Sequence, residues 1–295
     1  MNKPEITVVI PAFNREKTIG RAIDSVLKQT FENWELIIAD DCSIDNTVQF
    51  IHTHYASEPR VKVLALKQNG GANRARNHGA RSANASLITF FDSDDELHPS
   101  TLENHIEKFS KNPGLGLSYV FASCIKKGKV VATFEQKVNT DAERILYRGY
   151  HGIGSATSGL CVRKEVFETV GGFDEKMASH QDLDFLVRVA ALFPIDYIEN
   201  SNTLMYWDAQ NRISDNSKAV INGAEQFFEK HQQRLRELGI YHHVARKLTR
   251  KYALYGKNMR KAYRLLFKAI AYRPLYLYAY VYALKLPLLY RRKFD

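Results

Sequence analysis

Residues 6–14 read ITVVIPAFN: five residues dominated by β-branched apolar side chains, then a proline and a polar stop. A short apolar run closed in this way is the pattern of a fully buried strand ending at a loop. The next segment, REKTIGRAIDSVLKQ, carries Ile19, Ala22, Ile23, Val26 and Leu27 at i, i+3, i+4, i+7 and i+8, one face of a helix. WELIIADD then predicts a second buried strand ending in acid, SIDNTVQFIHTHYA a helix opening near Ser43 or Asp45, and RVKVLAL a third strand. GANRARNHGARSA predicts a polar helix rich in small residues, and SLITFFDSDD closes the unit. Strands alternating with helices indicate a doubly wound parallel sheet, in which ligands bind beyond the carboxyl ends of the strands. Here those ends carry Pro11–Asn14, Asp40–Asp41, Asn69–Gly71 and Asp92–Asp95, so the polar residues converge on one rim.

Further along, LGLSYVFASCIKKGKVVATF predicts two strands joined at Lys127-Gly128. SATSGLCVRKEVFETVGGFDE predicts a strand and a helix stopped by Gly171-Gly172, and HQDLDFLVRVAALF a helix that begins in acid. From about Ser217 the pattern is helical. The expected division is an α/β domain over 1–215, in two parts of about 1–110 and about 111–215, followed by a basic, Tyr-rich helical region over 216–295.

With 295 residues, 45% hydrophobic and 25% charged, the chain has the composition of a globular protein with a substantial core. Cys42, Cys124 and Cys161 are odd in number and widely spaced, which points to a reducing compartment and away from a disulfide framework or a thiolate zinc site. His52/His54 and His242/His243 lack metal-ligand spacing and are expected at the surface. No stretch offers eighteen clean apolar residues, so no membrane span is expected, and the amino terminus lacks the long apolar core of a targeting sequence. The net charge of +10 is concentrated after about residue 230.

DSDD, at 92–95, crowds three carboxylates into four positions. Like charges this close raise one another's pKa values unless a cation joins them. VVIPAFNREKTIGRAIDSVLKQTFENWELIIADDCSIDNT, NGGANRARNHGARSA, ITFFDSDDELHP, GGFDE and HQDLDFLVR together resemble a family 2 glycosyltransferase. The likeness is dense over 5–110 and returns at about 155–215. It implies an inverting enzyme of GT-A fold, a Rossmann-like, mostly parallel sheet flanked by helices, here with a C-terminal helical extension. It also implies a nucleotide-diphosphate sugar and Mn²⁺ or Mg²⁺ as cofactors.

On that resemblance Asp92 and Asp94 form the family's DxD, with Asp94 the direct metal ligand and Asp92 reaching the ribose or a metal-bound water. Asp95 is expected to be a turn or helix cap. Pro11, Ala12 and Asn14 lie along the nucleotide. Asp40 accepts from the imide N–H of uracil, which favours a UDP-sugar, with dTDP next. Asp41 caps the loop. Asn69 and Arg76 serve the nucleotide side, Arg76 pairing with the nucleotide or with the acid rim. Asp182 is the general base that takes the acceptor hydroxyl's proton. Asp184 is structural, because Arg188 stands four residues on. The segment YWDAQNRISDNS occupies the place of a diphosphate- or metal-contacting loop, with Arg212 available there.

The motif QxxRW of processive synthases and their flanking membrane helices are missing from the sequence, so transfer of a single sugar is expected. The acceptor expected from the resemblance is a glycan or lipid-linked molecule in cell-envelope polysaccharide assembly, at the cytoplasmic face of the membrane. Two other classes share some of these features. A nucleotidyltransferase also joins a parallel sheet to an acid pair and a metal, but would carry a Gly-rich basic loop where PAFNREKT stands. A non-catalytic nucleotide-sugar binding protein is the other alternative, and the presence of both Asp94 and Asp182 argues against it. Residues 244–295, with Tyr and Leu interleaved among Lys and Arg, fit either an interfacial helix pair on anionic lipid or a helical subdomain packed on the core. Nucleic acid is not an expected partner, since no binding motif accompanies the charge.

Overall fold

In the computed structural model, residues 3–135, 137–138, 141–148, 157–207, 216–254 and 258–291 are described, and they form two compact units. The first unit takes in the described residues up to 143, 157–175 and 182–207. Its amino-terminal half alternates β1 (Ile6–Ala12), α1 (Ile19–Leu27), β2 (Trp34–Asp40), α2 (Thr47–Tyr55), β3 (Val61–Ala65), α3 (Ala72–Arg81) and β4 (Leu87–Phe90). β1 pairs in parallel with both β2 and β4, and β2 with β3. All seven residues of β1 and all seven of β2 are buried, which explains why both read as continuous apolar runs rather than alternating ones.

Four further strands extend the sheet: β5 (Leu117–Lys126), β6 (Lys129–Phe134), β7 (Leu160–Arg163) and β8 (Ile195–Tyr206). The order is β3-β2-β1-β4-β7-β5-β6, with β8 pairing β5 in parallel. β7 runs antiparallel between β4 and β5, so the sheet is mixed, with a parallel half on the side of β1. Lys127 (φ 49°) and Gly128 (φ 72°) turn the β5–β6 hairpin where the sequence places it. A turn with two left-handed residues matches the twist of the strands it joins. β8 is the strand that the sequence reading lacks. The helices α4 (Thr101–Lys111), α6 (Lys164–Thr169) and α7 (Gln181–Ala190) complete this unit.

Two contacts set the site. α3 lies close on β1 because position 79 is glycine: a Cβ there would stand 2.5 Å from Val9 Cγ1. α7 is fastened to β4 by aromatic rings. Phe90 of β4 packs edge-on to Phe173 at 4.9 Å between centroids, and Phe173 stacks on Phe185 of α7 at 4.5 Å. Phe185 is three residues beyond Asp182, so the apolar core decides where that carboxyl lies.

The second unit comprises residues 144–148 of α5 (Ala142–Arg148), residues 176–181, and α8 (Ser217–Glu237), α9 (Tyr241–Leu254), α10 (Met259–Tyr272) and α11 (Leu277–Arg291). Asn216 and Asn258 cap α8 and α10, accepting from Ala219 N at 3.1 Å and Lys261 N at 3.0 Å. α8 stops at Gly239 (φ 69°), where the N–H of Ile240 reaches back to Leu235 O. Phe227, Phe228, Leu235, Val244, Leu248 and Leu266 are among its buried residues. His242 is buried as well, contrary to the surface position expected for it: its ring lies 4.6 Å from that of Tyr276, on the inward side of α9.

Candidate active site

Because β1, β2 and β4 run parallel and in register, with Ala12 opposite Asp40 and Val9 opposite Phe90, their carboxyl ends share one rim. The DSDD turn begins there, one residue beyond Phe91, whose N–H still bonds Val9 O at 3.0 Å.

The crowding of its carboxylates is relieved in two different ways, at Asp92 and at Asp95. Asp92 pairs with Arg76, whose Nη2 donates to Oδ1 at 2.6 Å from a guanidinium that is itself buried. Arg76 is thus the positive half of the rim, reaching over from α3. Asp95 is not the solvated cap expected of it. It is 5% exposed, and Oδ2 accepts from Ser158 Oγ at 2.6 Å while Oδ1 faces the N–H of Tyr206 at 3.4 Å. Burial, with the charges of Asp92 and Asp94 adding to it, pushes its pKa well above the usual carboxylate range. Ser158 Oγ also accepts from the N–H of Asp92 at 3.0 Å, so one hydroxyl ties both ends of the motif together. Asp94 is half-buried.

Two arginines brace the turn from outside. Arg21 Nη2 donates to the backbone carbonyl of Asp94, its guanidinium lies 3.7 Å above the ring of Tyr206, and Nε stands 3.7 Å from Glu96. Arg15 Nε donates to Ser93 Oγ at 3.2 Å. Neither Arg21 nor Ser158 was among the residues read from the sequence. Their partners are backbone atoms and remote side chains, which leave no local spacing to recognise.

On the other side of the rim, Pro11 and Ala12 are buried and Phe13 is exposed. Asn14 sits in the left-handed region (φ 55°), its Oδ1 accepting from Ile44 N at 2.9 Å. Asp40 is 3% exposed. Its Oδ2 accepts from Ser43 N at 3.0 Å, whereas Oδ1 is buried with no hydrogen-bond partner among the described residues. A buried carboxylate oxygen left without a donor is costly and fits a site that a ligand N–H completes. Asp41 shapes the loop: its two oxygens accept from Gly70 N at 2.9 Å and Gly71 N at 2.7 Å. Asn69 is turned toward the same loop, donating from Nδ2 to Asp41 O at 3.0 Å.

Asp182 is the second residue of α7 and half-buried, its Oδ1 accepting from Leu183 N at 2.8 Å. Burial raises its pKa to about 6; the Leu183 N–H and the charge of Arg76 pull it down, while Asp92 pushes it up. Arg76 and Asp92 therefore lie within electrostatic reach of Asp182. Asp184 is fully buried and pairs with Arg188 at 2.8 Å, the structural role expected of it. Asn77 holds the GGFDE segment in place, its Oδ1 accepting from Phe173 N and its Nδ2 donating to Phe173 O, both at 2.9 Å. Arg212 lies outside the described residues. Among the described residues no group of three or more His, Cys, Asp or Glu is assembled for a metal.

The family model described as glycosyl transferase family 2 matches residues 7–171, more than half of the chain. An Escherichia coli enzyme named UDP-Glc:alpha-D-GlcNAc-diphosphoundecaprenol beta-1,3-glucosyltransferase is 37% identical over 129 residues, 44% of this chain and 50% of that one. The chain spans between 24% and 61% of the length of the first curated relatives it matches. Among solved structures, Staphylococcus aureus TarS 1–349 in complex with UDP-GlcNAc superposes with a TM-score of 0.68 at 20% identity, covering 97% of this chain and 89% of that one. A mannosyltransferase from Pyrobaculum calidifontis, in complex with GDP-Man and Mn²⁺, gives 0.63 at 17% identity, covering 99% and 83%. At these identities the structural likeness establishes the GT-A fold, and the matched family model carries the assignment: the chain belongs to glycosyl transferase family 2.

Proposed function

We propose that this chain is an inverting, metal-dependent glycosyltransferase that moves one sugar from a UDP-sugar to a glycan or lipid-linked acceptor in envelope polysaccharide synthesis, at the cytoplasmic face of the membrane. The observation that carries this reading is the convergence of Asp92, Arg76 and a half-buried Asp182 whose pKa is raised to about 6. A carboxyl poised near neutrality suits a general base. Asp182 takes the proton of the acceptor hydroxyl as its oxygen attacks the anomeric carbon. The bond from that carbon to the diphosphate breaks, and the configuration inverts in a single displacement.

Asp94 and the oxygen of Asp92 not engaged by Arg76 would hold Mn²⁺ or Mg²⁺, a pairing of hard oxygen donors with a hard cation; water and diphosphate oxygens would supply the remaining positions. When bound, such an ion stabilises the charge that builds on the leaving diphosphate. The unpaired Oδ1 of Asp40 supports a base with an N–H donor edge, such as uracil or thymine, over cytosine. The E. coli relative is named for a UDP-Glc donor and a diphosphoundecaprenol-linked acceptor, which supports the same donor and acceptor classes here. The Pyrobaculum neighbour was solved with GDP-Man and Mn²⁺, which supports the metal while keeping guanine in the donor panel.

The test is thermal stabilisation and turnover across UDP-, dTDP- and GDP-sugars, with Mn²⁺ and with EDTA. Wild type should be stabilised by UDP with Mn²⁺. Asp94→Ala should lose that shift, Asp182→Asn should keep it, and both should lose turnover. A protein that no nucleotide stabilises would rule out the site.

A further inference from the structure

α11 is apolar around most of its girth, with Lys285 and Arg291 its charged residues, and a helix of this kind at a water-exposed surface calls for a covering. Ala279, Tyr282 and Leu286 form its buried stripe. Leu277, Tyr280, Val281 and Leu284, at i, i+3, i+4 and i+7, form a second stripe that is exposed, Leu277 to 73% and Leu284 to 80%. Leu275, just before the helix, is 88% exposed, and Phe267 of α10 is 61% exposed. Single exposed leucines need no explanation, but a continuous stripe of them marks an interaction surface.

The charge around this stripe says what covers it. Residues 238–295 hold fourteen Lys and Arg and one acid, more positive charge than the whole chain's net +10. Arg260, Arg264 and Lys268 line an exposed face of α10 at i, i+4 and i+8, and Arg273 and Lys285 flank and interrupt the apolar stripe. Lys261 pairs with Glu225, but Arg264, Lys268, Arg273 and Lys285 have no carboxylate partner among the described residues. Ten of the sixteen tyrosines fall in the same stretch; Tyr241, Tyr252 and Tyr282 are buried, but Tyr278 and Tyr280 stand exposed on α11, each an apolar ring with a polar tip suited to a headgroup boundary. A second copy of the chain would bring the same cations to the same face and be repelled. No described helix is long and apolar enough to cross a membrane.

We propose that the α10–α11 pair is a docking surface for a bilayer of anionic phospholipid, with the Leu/Tyr/Val stripe entering the headgroup layer and the α10 cations on the lipid phosphates. This goes beyond the donor and acceptor reading and does not depend on it.

The test is cosedimentation of the full chain with vesicles of phosphatidylcholine alone and with roughly 30 mol% phosphatidylglycerol. Binding to the anionic vesicles should be at least about tenfold tighter, and should weaken about tenfold as NaCl rises from about 0.1 to 0.5 M. The double variant Leu277→Ser/Leu284→Ser should lose about tenfold in binding with its melting temperature unchanged, since both side chains are largely exposed already. Arg264→Gln/Lys268→Gln should bind the two vesicle types more nearly alike. Equal binding of wild type to both vesicles, or unchanged binding by the leucine variant, would overturn the proposal. So would a dimer in analytical ultracentrifugation that the leucine variant dissociates while vesicle binding is absent. Stabilisation by UDP with Mn²⁺, measured on the same samples, separates failure of this surface from failure of the nucleotide site.

Discussion

Asp182 is where the proposed chemistry and the stability of the protein oppose each other. Its folded pKa of about 6 lies above the ordinary 3.8, so the folded state holds the proton more tightly than the unfolded chain does. The stability from this group is complete below about pH 4 and is lost as pH rises through 6. Asp182→Asn should therefore melt higher than wild type above pH 6, by on the order of 2 kcal/mol, and should match it near pH 4. The activity should move the other way. In the proposed role of general base Asp182 must be ionised, so kcat/KM of wild type should rise with pH through about 6 and level off, while the Asn variant should be flat and at least about 100-fold lower. Arg21 offers a second test at this scale. It holds the Asp94 carbonyl, Glu96 and the Tyr206 ring without belonging to the acid motif. Arg21→Ala should raise the concentration of Mn²⁺ needed for half-maximal stabilisation by UDP by about tenfold, with a small change in the melting temperature of the unliganded protein. The motif residues were named through the likeness of several ordered segments to a family's motifs, since an acid pair at i and i+2 is weak evidence by itself. Arg21 was not, because an arginine on an amphipathic helix looks like any solvated one until its backbone partner is seen.

At the scale of elements, the parallel half of the sheet is pinned by a charge inside it. Glu35 of β2 is 3% exposed and accepts from Thr7 Oγ1 of β1 at 2.8 Å, Lys62 Nζ of β3 at 2.8 Å, and Asn84 N and Nδ2 at 2.7 and 2.9 Å. Burial alone would raise its pKa, but the Lys62, Asn84 and Thr7 bonds outweigh it and hold the pKa at about 2. A lowered pKa means stability that is present above 4.5 and drains away as pH falls toward 2. Glu35→Ala should cost about 3 kcal/mol in urea unfolding at pH 7. Glu35→Gln should show a shallower loss of stability between pH 4.5 and 2 than wild type. β1, β2 and β4 could be read from sequence because burial on both faces makes them continuous apolar runs that acid or a polar loop closes, whereas β3, none of whose residues is buried, stands out by its β-branched Val61 and Val63 between polar segments. β8 could not. Its sequence, IDYIENSNTLMY, mixes polar and apolar residues, and its register against β5 shifts between Val120 and Phe121, so no single alternation runs its length. His242 misled for a related reason: beside His243 in a basic helix it has a surface composition, and only the packing of α9 shows its ring turned inward.

Across the whole molecule, the second unit is not a simple carboxyl-terminal appendage. It takes residues 144–148 and 176–181 from within the span of the first, and Tyr147 bonds His231 of α8 at 2.8 Å while Ser179 Oγ donates to Ala219 O at 3.1 Å. Sequence patterns mark where helices begin, but they do not say which stretches of chain share a core, so an expected boundary at 215 could be drawn without these crossings. A chain truncated after residue 215 would strip the partners from Leu146, Tyr147 and Met177, all buried in the intact protein. Such a fragment should expose apolar surface, bind a hydrophobic dye and aggregate at concentrations where the full chain stays in solution, as light scattering would show. The interleaving also limits how the protein can be rearranged by evolution or by an engineer. A tail that merely follows a catalytic domain can be exchanged by one crossover in the gene. A helical unit threaded through two earlier segments requires matched changes at three places, so any inherited swap of this unit would be expected to carry residues 144–148 and 176–181 with it.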